Sequence, residues 1–183
     1  MNIQEELRFR KIGRGDAERN RIRELYERSF PKDERIPFVR LLRFLNEERI
    51  MEAVYCDGEL IGMTYVFLDE DIIYLAYLCV REDWRDQGLG TRILKHLYDA
   101  YPERRFIIDI EETRKEDENY EEELKRRSFY LRNGFESTGI FYRFYNVDYE
   151  LLSSGGALNR QEWQALLAKH WGVRAKRALY RDK

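Results

Sequence analysis

Apolar residues recur along this chain at two different periods, and the changes of period divide it into twelve elements. Residues 7–12 alternate apolar and basic side chains, the mark of a strand with one covered face, and Gly13 and Gly15 end the run. From Asp16 the period is helical. Ile22, Leu25, Tyr26 and Phe30 share one face, and Pro31 stops the helix. A charged loop over 32–37 precedes a second helical stripe of Phe38, Leu41, Leu42 and Leu45. Two strand-like runs follow, 51–56 and 60–68, joined by the tight-hairpin signal Asp57-Gly58. Asp69-Glu70-Asp71 turns into a strongly apolar, β-prone run over 72–80. Beyond a loop with two glycines, Ile93, Leu94, Leu97, Tyr98 and Tyr101 mark a helix over 92–101 that Pro102 ends. Residues 105–110 read as a strand, 124–132 as a helix stopped by Asn133-Gly134, and 135–152 as two strands rich in aromatics. Ser153-Ser154-Gly155-Gly156 breaks the chain before a last helix. Asn159 as its N-cap, Glu162 completing a capping box, and Leu158 stapled onto Trp163 predict where that helix starts. Trp163, Leu166, Leu167 and Trp171 form its apolar stripe.

The order β-α-α-β-β-β-α-β-α-β-β-α predicts an α/β (α+β mixed) fold: a twisted mixed β-sheet flanked by helices on both faces. At 183 residues the chain suits one domain with a small appendage. We expect a domain over 1–152 and a C-terminal helical extension over 153–183 packed on it.

Composition narrows the classes. Charged residues at 37% bring the mean hydropathy to -0.72 and imply a well-solvated surface. The net charge of -2 gives no support for a general nucleic-acid binder, so no nucleic acid is expected as a partner. Cys56 and Cys79 lie inside strand-like runs and read as buried apolar residues rather than a disulfide or metal pair. Two histidines without a Cys/His cluster speak against structural zinc. The N-terminal stretch has no apolar signal-peptide core, and no run approaches the ~20 apolar residues of a membrane helix. A cytoplasmic protein without a membrane partner is expected.

The stretch with chemistry in it is Arg85-Asp86-Gln87-Gly88-Leu89-Gly90-Thr91, set between the 72–80 strand and the 92–101 helix. Strand, glycine loop and helix N-terminus together seat an anion. The helix end offers unpaired N–H groups and partial positive charge, and glycine lets backbone approach closely. Arg85 adds a charged donor. The stretch lacks the Gly-Lys-Ser/Thr ending of a Walker A loop, and it has only two of the three glycines of the dinucleotide fingerprint. An ordinary glycine turn is the plainer alternative.

The spacing Arg85-x-x-Gly88-x-Gly90 resembles the pyrophosphate loop of the GNAT family of N-acetyltransferases. A second phrase, Tyr130-Leu131-Arg132-Asn133-Gly134-Phe135, resembles the Y-x-x-x-G-F at the end of that family's fourth helix, and it lies 130 − 85 = 45 residues after Arg85. The element order up to residue 152 agrees with the family, and the last helix would be an addition. The resemblance implies acetyl-coenzyme A as cofactor. Arg85 and the amides of residues 87–91 would hold the pyrophosphate, and the backbone of Leu78, Cys79 and Val80 would pair with the pantetheine arm. Tyr130 matches the residue usually given the role of general acid.

Direct transfer to an amine needs two proton movements. The amine arrives protonated, with a pKa near ~10, and the leaving thiolate must gain a proton. Many relatives place a glutamate on the fourth strand as base, but residues 72–80 contain no acid. Glu111 is the candidate base, Glu112 faces the other way, and both as solvated loop acids is the alternative. Seven and four residues before the tyrosine, where the family commonly has asparagine and a small residue, stand Glu123 and Arg126.

The acceptor is expected to be a small-molecule or protein amine. Residues 111–123 hold eight acids against two bases, a field that favours cations. A coenzyme A or acyl-CoA sensor without turnover is a second reading. Contact of the tryptophan-bearing helix and basic tail with RNA or an acidic partner is a third. Packing of those tryptophans on the domain, or on a second subunit in a homodimer, is the plainer account.

Overall fold

The structure is a computed structural model that describes residues 6–32 and 34–181. Asp33 of the charged loop, the first five residues of the N-terminal stretch and Lys183 of the basic tail lie outside the described residues. Eight strands are hydrogen-bonded in the order β1-β2-β3-β4-β5-β7-β6-β8. The chain divides into two compact units, Met1–Leu68 with Leu75–Pro102, and Asp69–Tyr74 with Glu103–Lys183.

The first unit holds β1 (Arg8–Lys11), α1 (Arg19–Ser29), α2 (Phe38–Arg43), β2 (Arg49–Cys56), β3 (Glu59–Asp69, up to Leu68) and α3 (Leu89–Ala100). It also holds the greater part of β4 (Ile72–Val80). β1, β2 and β3 are antiparallel neighbours. The hairpin between β2 and β3 turns on Asp57 (φ 50°) and Gly58 (φ 80°), the two left-handed positions of a tight turn. Helices cover both faces of β4, as expected from the alternation of its side chains. Tyr77 faces the α1–α2 segment: its hydroxyl donates to Glu34 O and accepts from Ile36 N–H, both at 3.1 Å, and its ring meets Tyr26 and Phe30. Leu78 and Val80, on the other face, pack on a cluster that includes Leu89 and Ile93 of α3.

The second unit holds the start of β4, β5 (Arg105–Glu111), α4 (Tyr120–Arg132), β6 (Glu136–Phe144), β7 (Val147–Ser154), α5 (Arg160–Trp171) and β8 (Leu179–Arg181). The mixed character of the sheet comes from the parallel register of Ile72–Tyr74 against Arg105, Phe106 and Ile107; β5, β7 and β6 are antiparallel. Neighbouring positions on β5 and β7 look in opposite directions. Asp109 accepts hydrogen bonds from Tyr74 (2.8 Å) and Tyr142 (2.7 Å) on the side where Trp163 of α5 meets both rings. Burial pushes the Asp109 carboxyl up, and the two hydroxyl donors pull it back. Glu150, next in register, binds Arg127 of α4 on the opposite side.

Several elements depart from the expected boundaries: β2 starts at Arg49, and β7 runs through Ser153 and Ser154 of the expected break. α3 starts at Leu89, inside the glycine loop. α4 starts at Tyr120, so Glu121, Glu122 and Glu123 form its first turn, where acids complement the helix dipole. The basic tail folds back as β8, paired antiparallel with β6. Among the described residues no helix is long and apolar enough to cross a membrane.

Candidate active site

The loop after β4 is held from beneath. A register shift in the β2–β3 hairpin, where Val54 pairs with Gly62 and Tyr55 with Leu60, leaves Ile61 as an extra residue. The Ile61 carbonyl accepts from the Arg81 N–H at 2.7 Å. The Arg81 guanidinium donates to Leu60 O (3.2 Å) and pairs with Glu59 and Asp83 (2.7 Å each), which hold its pKa above the ordinary value. It also lies over the Trp84 ring. These contacts fix a 3-10 turn at Glu82–Trp84. Next, Arg85 Nε donates to Val80 O (3.2 Å) and Gln87 Nε2 to Asp83 O (3.3 Å).

Asp86 (φ 60°) and Gly88 (φ 75°) then turn the backbone through the left-handed region into α3. Gly88 is the N-cap, no side chain caps the helix, and its first turn holds no acid. A Cβ at Gly88 would meet nothing within 4 Å. Uncapped N–H groups, the helix dipole and an open approach over glycine make an anion seat, with Arg85, Gln87 and Thr91 exposed around it. Buried Leu89, Ile93, Leu94 and Leu97 fasten the helix behind it. The loop therefore offers donors suited to an anion, and Arg85, Asp86, Gln87, Gly88, Leu89, Gly90 and Thr91 all lie along it.

Leu78, Cys79 and Val80 lead into this loop, beyond the three β4 residues registered with β5. Leu78 and Val80 are half-buried, while Cys79 is buried on the other face. Burial pushes its thiol up to about 11. The close fit of β3 and β4 depends on Gly62, where a Cβ would lie 2.7 Å from the Cys79 carbonyl oxygen. Neither Gly62 nor Arg81 was singled out by sequence reasoning. The signal for Gly62 was present, since a glycine inside a strand run marks a bulge or close backbone approach. Arg81 had only its neighbour Asp83 as a local signal, because its other partners are Glu59, 22 residues away, and the main-chain oxygen of Leu60.

Tyr130 and Glu111 belong to the second unit. Tyr130 is buried in the last turn of α4, and its ring makes edge contacts with Phe129 (5.0 Å) and Phe135 (5.4 Å). Its carbonyl accepts from Asn133 N–H and Phe135 N–H as the helix ends. Glu111 closes β5 and pairs with Arg126 at 3.3 Å. Glu112 is buried and paired with Arg114 and Arg181, so it is neither solvated nor loose. Glu123, noted in the sequence only as a departure, is buried in the first turn of α4 with Oε2 lacking a hydrogen-bond partner. Burial raises its pKa, and the Glu111 charge adds to the rise.

A family model described as an acetyltransferase (GNAT) domain matches residues 46–137. No curated protein matches the sequence. Among solved structures, a GNAT-family protein from Bacteroides thetaiotaomicron is similar over 91% of this chain and 97% of its own, at 20% identity and a TM-score of 0.71. The ribosomal-protein-S18-alanine N-acetyltransferase of Escherichia coli is similar over 84% and 96%, at 15% identity and a TM-score of 0.64. A GNAT acetyltransferase from Elizabethkingia anophelis, solved with acetyl-CoA bound, is similar over 81% and 97%, at 16% identity and a TM-score of 0.61. The structural likenesses agree on the fold, and the family model spans the bulged hairpin, the loop before α3, β5, α4 and the first two residues of β6. With these findings the chain belongs to the GNAT family of acetyltransferases, enzymes that use acetyl-coenzyme A.

Proposed function

We propose that this enzyme moves the acetyl group of acetyl-coenzyme A to a primary amine, on a small cationic molecule or a protein, by direct attack in a ternary complex. The uncapped N-terminus of α3 behind Arg85 and Gly88 carries the reading, because it offers backbone donors and positive charge where a pyrophosphate needs both. Bound acetyl-coenzyme A supplies the acetyl group as a thioester. Both cysteines are buried thiols, and burial pushes the Cys79 thiol up to about 11, which supports direct transfer over a cysteine-bound intermediate.

Tyr130 gives the proton of its Oη to the departing sulfur. Glu111 takes the proton from the amine, and Glu123 stands with it as a second carboxyl. Burial, with the Glu111 charge adding to it, makes Glu123 hold its proton more firmly than a solvated carboxylate. The exposed acids at 116–118 and in the first turn of α4 attract the cationic acceptor. One of the solved relatives acts on the alanine of a ribosomal protein, in keeping with an amine acceptor.

A thermal-shift titration with acetyl-coenzyme A, followed by an amine panel read by thiol release, tests the proposal. A dose-dependent rise in Tm that an Arg85→Glu/Gly88→Trp variant loses supports the cofactor seat, and absence of the rise overturns it. Glu123 and Arg126 depart from the family pattern, which favours a second reading as a coenzyme A sensor. Tight binding with no transfer to any amine would support that one.

A further inference from the structure

A cleft of about 340 Å³ lies in the first unit, lined by Arg14, Arg19, Asn20 and Arg23 on one side and by Phe38, Val39, Leu42 and Arg43 of α2 on the other. No acid lines it. Among the described residues Arg19, Arg23 and Arg43 have no carboxylate partner, while the nearby acids are engaged elsewhere. Asp16 pairs with Arg10, and Glu18 pairs with Arg10 and Arg21 and accepts from the Tyr55 hydroxyl. Arg14 is steadied by donating to Leu45 O at 2.9 Å.

This arrangement is unfavourable for the empty protein. Arg19 and Arg23 are four residues apart on α1 and repel. Arg19 opens the helix and Arg23 follows one turn on; its first turn holds no acid, and its N-cap Glu18 makes no side-chain cap. An oxyanion relieves both. The floor of the cleft is apolar, with Phe38 and Leu42 buried, and Val39 stands 69% exposed at its rim. The volume is at the lower end of ligand pockets, which run to roughly 300–1,000 Å³.

We propose that this cleft binds a phosphate or carboxylate group carried on an apolar body about one aromatic ring in size. Its residues are separate from those of the coenzyme A seat, and the assignment does not depend on acetyl transfer. Guanidiniums from α1 and its preceding turn take the oxyanion in forked hydrogen bonds, Arg43 closes the ring of charge from α2, and the ring of the ligand covers Phe38 and Leu42.

Isothermal titration of the full chain tests this with four probes: phenyl phosphate, 3-phenylpropionate, 3-phenylpropylamine and inorganic phosphate. The two aromatic anions should bind, the tighter of them naming the oxyanion, and the amine should not. Inorganic phosphate should bind more weakly than phenyl phosphate, because it leaves the apolar floor uncovered. An Arg19→Gln/Arg23→Gln variant should weaken the aromatic anions by at least about tenfold and keep the wild-type response to acetyl-coenzyme A. The Arg85→Glu/Gly88→Trp variant should bind the anions as wild type does. Four outcomes would each overturn the proposal: no anion binding at millimolar concentration, equal binding of the amine, unchanged affinity in the Arg19/Arg23 variant, or loss of anion binding in the Arg85/Gly88 variant.

Discussion

At the scale of single residues, the proposed chemistry rests on one hydroxyl, two carboxyls and one backbone turn. Tyr130→Phe keeps the ring contacts with Phe129 and Phe135 and removes only the proton donor. It should lower kcat by about 10²–10⁴ and leave acetyl-coenzyme A affinity unchanged, as steady-state kinetics beside a binding titration will show. Unchanged kcat would remove Tyr130 from the chemistry. Burial and Glu111 both hold the Glu123 carboxyl above its ordinary pKa. The pH–rate profile of Glu123→Gln should therefore lose the contribution of this raised carboxyl to its ascending limb. A profile identical to wild type would separate Glu123 from the proton path. At Gly88 any L-side chain meets a φ of 75°. Gly88→Val should cost about 1–2 kcal/mol in strain and place a branched side chain before the helix amides, raising the Kd for acetyl-coenzyme A. Arg85 and Gly88 were legible because an anion seat is local, a strand, a loop and a helix end within a dozen residues. Glu123 was not, since its meaning comes from burial and from Glu111, twelve residues away in sequence.

At the scale of elements, caps and charge clusters decide where segments begin and end. The capping box at α5 forms as read: Glu162 N–H donates to Asn159 Oδ1 (3.0 Å) and Asn159 N–H to Glu162 Oε2 (2.9 Å). Asn159→Ala should cost about 1 kcal/mol, a fall in Tm of roughly 2–4 °C by calorimetry. The tail strand β8 has no such local signal. It is three residues long and exists through pairing with β6 and through Arg181, which binds Glu112 and Asp148. Asp148 also binds Arg143 and Arg114, and these guanidiniums, Arg143 foremost, hold its carboxyl down at about 2. A lowered carboxyl stabilises the fold above its unfolded pKa of 3.8, and that contribution is lost as pH falls through about 2. Asp148→Asn should therefore cost about 2 kcal/mol near neutral pH. In urea unfolding, the gap to wild type should narrow below about pH 4. A gap constant with pH would mean that the charge of Asp148 is not what holds the cluster.

At the scale of the molecule, charge is distributed rather than summed. The net charge of -2 conceals an acidic stretch over 111–123 and an arginine-lined cleft at α1 and α2. Of the acidic stretch, Glu111 and Glu112 are paired, Glu123 is buried, and Glu116, Asp117, Glu118, Glu121 and Glu122 are exposed. If these exposed acids gather the acceptor, its KM should rise several-fold as ionic strength goes from low to physiological, with kcat unchanged. A salt-independent KM would mean the acids serve only the dipole of α4 and its solvation.

By itself the sequence determined the succession of strands and helices, the mixed sheet with helices on both faces, the capped start of α5 and the glycine turn before α3. Each of these is written in periodicity, turn chemistry or a spacing of a few residues, where local sterics and hydrogen bonds suffice. Only the tertiary structure decided the rest. It showed Gly62 against the Cys79 carbonyl, Arg81 beneath the loop, β8 on the edge of β6, the Asp109–Tyr74–Tyr142 cluster, buried Glu123 and the cleft between α1 and α2. Those features depend on burial and on contacts between residues far apart in the chain, and neither has a period to read.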